Sequence, residues 1–552
     1  NEEFSGHFDV NVGWQKWALV TSISANSYGD LRMGNNGPSS YLRPSFVERF
    51  DSTDVVVNNS DPQLQVPSGF DQINLMQKLR FKPSEKWDIE YGFHYSETTP
   101  YSRYDRQLRT RNGLPRYGEW AYGPQIWMMN NLSATHTHPN LIFDQFTLRA
   151  AHQYFEESRI SRNFNSPDRA IRTEQVDAYS LNLDFSKKWD SNTTLFYGLE
   201  WVLNQVNSTG LNENINTGTT SPGPSRYPQA DWQSYAAYLT AQIQLNEQLH
   251  LQAGARYGRN LLNATFDTTF FPFPFTTTSL NAGATTGSLG LVYRPTSTWV
   301  LSATIANGFR APNVDDAGKV FDSEPGAVVV PNPNLRPEFA YNVELGLAKI
   351  IGDFIKLDVT AYYTFLDNAL VRRNFTLNGQ DSILYENQPS QVQAIQNAAS
   401  ANVYGVQAGV EVKLPNGFRL ATRLNYQVGE EELNDGTRSP SRHAAPFFGL
   451  ARLNYRKDKL QLQFNIQFSD AVPFEDMPVS EIGKPEIYAQ DANGNPFSPS
   501  WYTLNFKALY QLEQHFSLSA GLENITDQRY RPYSSGLVAP GRNFILALRA
   551  EF

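Results

Sequence analysis

The 552-residue chain contains no cysteine, which excludes a disulfide framework and any thiolate metal site, and leaves the redox compartment unread. It also lacks any apolar run of about 18 residues, so a transmembrane helix is excluded. Charge is sparse: Lys and Arg number 46, Asp and Glu 55, and the net charge of −9 argues against a nucleic-acid binder. The opening NEEFSGHFDV has neither the basic start nor the apolar centre of a secretory signal, from which we expect that a leader has been removed or that the beginning lies upstream. There is no Ser/His/Asp ordering around a nucleophile elbow, no phosphate-binding glycine loop and no cluster of metal ligands. Neither an enzyme nor a resident cofactor is expected.

What the chain does have is 35 Phe, 28 Tyr and 10 Trp, and they alternate with polar residues. In KLQLQFNIQFSD, residues 459–470, Leu460, Leu462, Phe464, Ile466 and Phe468 fall on one side, and Gln461, Gln463, Asn465, Gln467 and Ser469 on the other. Successive strand side chains point to opposite faces, so this is a strand with an oily and a wet surface. The pattern recurs in HFDVNVGW, KWDIEYGFHY, AYSLNLDF, FIKLDVTAYYTF, HFSLSAGL and NFILALRAEF. Counting such stretches gives about 21 strands, with no competing amphipathic helix. Polar and apolar positions cancel in any window average, which is why a membrane barrel escapes a hydropathy search.

The connections alternate in length. Short ones fall at 83–85, 139–140, 190–191, 295–296, 352–353, 415–417, 457–458 and 513–514. Long polar or Pro/Gly-rich stretches fall at 30–68, 98–122, 206–230, 309–337, 368–396 and 470–498. Tight turns at one end and large loops at the other are the pattern of an outer-membrane barrel. Trp14, Trp17, Trp87, Trp189, Trp299, Trp501 and Tyr510 lie near strand ends, where rings meet the headgroup level. The fold class expected is therefore all-β: a transmembrane, antiparallel, up-and-down barrel occupying residues 1–552. Because barrels of this kind normally have an even number of strands, an odd count leads us to expect a missing first strand, with 22 in the whole protein.

Residues 307–347 carry Phe309-Arg310-Ala311-Pro312 and Asn332-Pro333-Asn334-Leu335, followed by Arg336-Pro337-Glu338. These resemble the FRAP and NPNL boxes of TonB-dependent outer-membrane receptors. The ending is similar too, with ENITD at 523–527, PGRNF at 540–544 and a terminal Phe552 of the kind that the barrel-assembly machinery recognises. The resemblance spans essentially the full length. It implies active import of a ferric chelate, a siderophore complex or haem, into the periplasm, through an N-terminal plug on which TonB pulls. Neither plug nor TonB box is visible, and both are expected upstream. The boxes also admit a purely loop-shaping role, since Pro fixes φ and Asn tolerates turns. A plug-less passive channel, or a receptor-like barrel serving as a docking subunit of a surface assembly with a surface lipoprotein as partner, are the alternatives.

The haem-type branch, which the wording of this stretch resembles, carries a histidine between the boxes. Residues 313–331 contain none, and His443 is the best remaining outer-loop histidine, though a solvated loop histidine is the commoner case. The best capture candidate is the loop 101–122, YSRYDRQLRTRNGLPRYGEWAY. Here Arg103, Arg106, Arg109, Arg111 and Arg116 outnumber the acids, and Tyr101, Tyr104, Tyr117, Trp120 and Tyr122 interleave with them. Guanidinium forks bind carboxylate or catecholate oxygens and rings stack on flat ligands; contact with lipopolysaccharide is the competing use. TFFPFPFTTT, around 270–275, either walls an apolar pocket or buries itself among loops, and DANGNP at 491–496 reads as a turn.

Overall fold

The computed structural model describes residues 2–552 except 272, 320, 325, 386, 387, 398, 399, 434, 435 and 443. The alternating stretches form one sheet of 25 strands. Twenty-one of these follow each other in chain order from Glu3–Gly13 to Asn543–Ala550, each antiparallel to the next; the four short remaining ones, such as Tyr117–Tyr122, extend hairpins at one end. The strand count expected from alternation is therefore met. Glu3–Gly13 and Asn543–Ala550 run in the same direction, as an odd count requires, and among the described residues no ladder joins them.

The two faces of the sheet differ as the alternation demands. Leu199 (56% exposed), Leu345 (59%) and Leu546 (62%) stand on one side. The other carries cross-strand ion pairs, Arg256 to Glu200, Arg423 to Asp358 and Lys507 to Glu523. An open aliphatic surface is tolerable in lipid and costly in water, at roughly 25 cal/mol per Å2, so the apolar face is the outside. At its rims stand Trp14, Trp189 and Tyr510, and the Lys349 ammonium lies 4.3 Å from the Trp299 ring centroid, a long cation reaching for the interface.

Connections at one end are tight. In the turn 189–192 the Asp190 carboxylate accepts from the backbone N–H of Asn192 (2.7 Å) and Thr193 (2.8 Å), and Asn416 (φ 60°) and Asp458 (φ 48°) take left-handed turn conformations. The opposite end holds the loops, with one departure from expectation. Strands Gln145–Asn163, Asp168–Lys188 and Thr193–Asn214 have 19, 21 and 22 residues, whereas about 9–11 cross a bilayer. Residues 206–214, expected as loop, continue the strand instead. Their outward positions turn polar beyond Tyr179 and Leu203, to Gln175, Asp177, Gln205 and Asn207, which marks where the hairpins leave the membrane.

Above the barrel, Ala327–Val329, Leu370–Asn374, Ser382–Tyr385 and Gln388–Asn397 contribute to a separate five-stranded sheet, so the stretch 368–396 is not irregular. Val328, Val330, Val392 and Ala394 are sealed inside it. The phenylalanine run packs there: Phe273 touches that core, Phe271 stacks on Tyr385, and Phe266 meets Phe275 edge-on at 5.0 Å. Its described phenylalanines pack among loops, and none of them lines the cavity at the barrel mouth.

The two sequence boxes brace this superstructure. Arg310 donates to Asp316 (2.6 Å) and Glu338 (3.0 Å), Phe309 lies 6.2 Å from Phe339, and beyond half-buried Ala311 the buried Pro312 leads to Asn313, which caps the short helix Val314–Gly318. Asn332 donates to the Ile395 carbonyl (2.7 Å) and accepts from the Asn334 amide (3.1 Å) across Pro333, and Leu335 is buried against Leu262 and Phe266. Phe552, 97% exposed, sits at the short-turn end beside His515. DANGNP is a turn, the Asp491 carboxylate accepting from the Asn493 and Asn495 amides at 2.8 Å.

Candidate functional site

The loop 101–122 does not stand free in solvent. Its helical turn Tyr104–Gln107 folds inward over the barrel mouth, where Asp105 packs against Gly536 and Arg109 forms an ion pair with Glu486 at 2.9 Å. Beneath it lies a cavity of about 640 Å3 walled by residues from 68 to 537. Only a sheet curled into a cylinder brings such distant segments together.

Eight of the residues singled out from the sequence line this cavity: Tyr101, Arg103, Tyr104, Arg106, Arg109, Tyr117, Trp120 and Tyr122. Arg111 does not; it lies in a small hairpin opposite Leu114. Arg116 does not either, being buried with its guanidinium 5.0 Å from the Tyr117 ring centroid. His443 lies outside the described residues. The boxes at 309–312 and 332–335 contribute nothing to the lining. Arg103 lies 5.3 Å from the Trp120 ring centroid and donates to Asp105 at 3.0 Å. The Tyr104 hydroxyl is buried and has no hydrogen-bond partner among the described residues.

Sequence reasoning missed the opposite wall. Arg159 and Arg172 come from the long hairpin, Arg226 and Lys319 from neighbouring loops, and Arg372, Arg442 and Lys484 from further round the rim. Ten cations thus face the cavity against two acids, Asp105 and Glu486. A signal was available: Arg159 pairs directly with Arg172 across the ladder, and like charges directly opposite are destabilising in a sheet. Pairing SRISRNFNSPDRAIR about its turn exposes that conflict.

Acids behind the wall hold the cations in place. Arg159 reaches Glu157 at 2.7 Å and Glu174 at 3.0 Å. Glu174 lies above the polar level that marks the membrane boundary, and burial raises its pKa to about 7 despite the opposing charge of Arg159. Glu481 is fully buried, and its carboxylate takes Lys484 (2.6 Å), Arg442 (2.7 Å), Tyr488 (2.6 Å) and Ser534 (3.1 Å). Burial alone would raise its pKa, but these donors hold it below the usual carboxylate value. A second clasp fixes the hairpin 45–58, where the buried Asp54 accepts two bonds from Arg162 (2.6 and 2.9 Å) and one from Arg49 (2.9 Å). Chemically, the site can bind anionic oxygen at its arginines and stack a flat group on Trp120, Tyr117 and Tyr122. No cluster of His, Cys, Asp and Glu fit to hold a metal ion occurs among the described residues.

Comparison with known proteins gives the architecture its family. Residues 13–525 match the family described as TonB dependent receptor-like, beta-barrel, and the chain belongs to it: an outer-membrane receptor barrel, in a family of transporters rather than enzymes. A curated relative, the hemoglobin-haptoglobin utilization protein B of Neisseria meningitidis, is 25% identical over 347 residues, which is 56% of this chain and 40% of that protein. The chain thus matches less than half the length of this relative. Among solved structures, a copper transporter, OprC, superposes over 100% of this chain and 78% of its own at a TM-score of 0.76 and 14% identity. The ferric yersiniabactin uptake receptor FyuA of Yersinia pestis does so over 100% and 78% at 0.69 and 16%. At these identities the superpositions speak for the fold alone.

Proposed function

We propose that this barrel is the membrane-spanning part of a TonB-driven importer, and that its cargo is an anionic ferric chelate captured at the outer mouth. The observation that carries this is the cavity of ten cations and two acids beneath the loop 101–122. Arginine forks suit carboxylate and catecholate oxygens, and the adjoining rings suit a planar chelating group. The names of the relatives, a haemoglobin-haptoglobin utilization protein and a ferric yersiniabactin receptor, point to iron, although a copper transporter shares the fold. Within the iron class, a cavity lining without histidine among the described residues favours an oxygen-rich chelate bound through charge over haem held by an axial ligand. Energy coupling through TonB and a plug, and biogenesis through the barrel-assembly machinery, come with this reading.

The test is ligand binding by the full chain in detergent. A ferric tris-catecholate, which is a trianion, binds and is displaced by rising salt, whereas copper ion alone does not bind in the cavity. Binding of copper with no affinity for any ferric chelate overturns the proposal.

A further inference from the structure

The connection 138–144 at the short-turn end, HPNLIFD, carries two consecutive aliphatic side chains at its tip, Leu141 at 93% and Ile142 at 64% exposed. The turn is tightly built. The Asn140 side-chain oxygen accepts from the backbone N–H of Ile142 (2.8 Å) and Phe143 (3.0 Å). Lys187 donates to the Asn140 carbonyl (2.6 Å) and to Asp144 (2.8 Å), and the other Asp144 oxygen accepts from the Lys188 amide at 2.7 Å. With the frame held this firmly, the two aliphatic groups are presented outward rather than left to collapse.

Where they are presented follows from the rings beside them. The Tyr197 hydroxyl donates to the Ile142 carbonyl, and Tyr197 stacks on Phe185 at 5.2 Å. Phe143 meets Phe146 edge-on at 5.2 Å and Phe185 at 5.9 Å, and Trp87 continues the cluster to Phe146 at 5.9 Å. Phe185 and Tyr197 alternate in phase with the exposed Leu181 and Leu199, Trp87 with the exposed Tyr91, and Phe146 is paired with Phe185, all on the face turned away from the ion-paired lumen. The turn is therefore folded over the outer rim of the cylinder and not beneath its lumen. Lys187, at the end of the neighbouring strand, is engaged by the turn, whereas the exposed Lys86 adjoins it, its carbonyl accepting from the Thr137 amide at 2.8 Å.

We propose that this turn is a membrane anchor, in which Leu141 and Ile142 insert into the phospholipid leaflet on the short-turn side while the exposed Lys86 meets the phosphates. The surface is continuous with the lipid-facing band, which identifies its occupant as lipid. An aliphatic tip flanked by rings and an exposed lysine is a composition that settles at the headgroup–acyl boundary. The anchor would fix the depth of the barrel on this sector.

The cysteine-free chain permits a direct test. Leu141→Cys is labelled with a nitrobenzoxadiazole fluorophore, and the full chain is reconstituted into phosphatidylethanolamine–phosphatidylglycerol vesicles with iodide on both sides. Expected are quenching by a nitroxide on a shallow acyl carbon, and iodide quenching about fivefold weaker than for the same label at Ser191→Cys in the neighbouring turn. The label at Ile142→Cys, in a chain that keeps Leu141, must behave alike. Equal iodide quenching at 141, 142 and 191 overturns the proposal, and it does so equally if the tip is kept in water for a periplasmic protein.

Discussion

Replacing Arg172 by Gln removes one of the ten cavity cations without disturbing the frame, because Arg172 is set opposite Arg159 and its loss relieves a like-charge pair. The barrel should fold as before. The effect on a ligand follows from Coulomb's law: a unit charge about 6 Å away in a medium of dielectric constant about 80 is worth roughly 0.7 kcal/mol per ligand charge. A ferric tris-catecholate, being a trianion, should thus lose about 2 kcal/mol, or about thirtyfold in affinity. A neutral ferric trihydroxamate of similar size should lose almost nothing. Isothermal titration of both ligands against both proteins measures the difference. The gap should narrow as salt is raised from about 0.05 to 0.5 M, since the Debye length falls from well above 10 Å to below the charge separation. An equal loss for charged and neutral ligands, or none for the trianion, would refute the electrostatic account of the cavity.

Glu174, with its pKa raised to about 7 by burial, makes the cavity pH-dependent. Because the folded value lies above the unfolded one, the proton is held more tightly in the native state; the stability this contributes is complete below the unfolded value of 4.5 and is lost as the pH rises through 7. Below that point the carboxyl is neutral and the cavity gains a positive charge, so trianion affinity should rise a few-fold from pH 8 to pH 6, and Glu174→Gln should flatten the profile. Asp54→Ala strands Arg162 and Arg49 at a cost of about 3–5 kcal/mol. The hairpin 45–58 should then lose hydrogen-exchange protection and become protease-sensitive while the barrel strands stay protected. Asn332→Ala frees the Ile395 carbonyl at about 1–2 kcal/mol, loosening the loop 311–337 in hydrogen exchange without altering affinity at the cavity.

The barrel was legible from sequence because period-2 alternation is local: Leu460 to Ser469 reads as a strand whatever surrounds it, and Asp190 or Pro415–Gly417 read as turns from their own chemistry. Alternation does not say where a strand leaves the bilayer, and so 206–214 was expected as loop. The outward side chains change from Leu203 to Gln205 and Asn207, but a polar residue on that face looks the same in sequence as one facing the lumen unless the phase is tracked through the whole strand. The loop 101–122 stood out because its arginines are adjacent in sequence. Arg226, Lys319, Arg372, Arg442 and Lys484 come singly from separate segments, and their convergence is a property of the curled sheet. Arg111 and Arg116 show the converse: clustering in sequence placed them in the capture set, yet one ends in a hairpin and the other is buried against the Tyr117 ring.

The acids explain why so many like charges can share one space before any ligand arrives. Arg159 is held by Glu157 and Glu174, Lys319 by Asp315, Arg109 by Glu486, and Arg442 and Lys484 by the single buried Glu481. Each acid fixes its cation's position and offsets part of the mutual repulsion. Of the six acids concerned, counting the Asp105 that holds Arg103, only Asp105 and Glu486 belong to the cavity lining. The field inside the mouth therefore stays positive while the framework around it is closer to neutral. On the proposed reading, such a site would bind an anion without first reorganising and would select for charge before shape. Removing an acid that alone holds its cations should do more harm than its sign suggests, unlike Glu174, whose Arg159 keeps Glu157: Glu481→Gln makes the region more positive, yet by releasing Arg442 and Lys484 it should weaken the binding of a compact trianion rather than strengthen it.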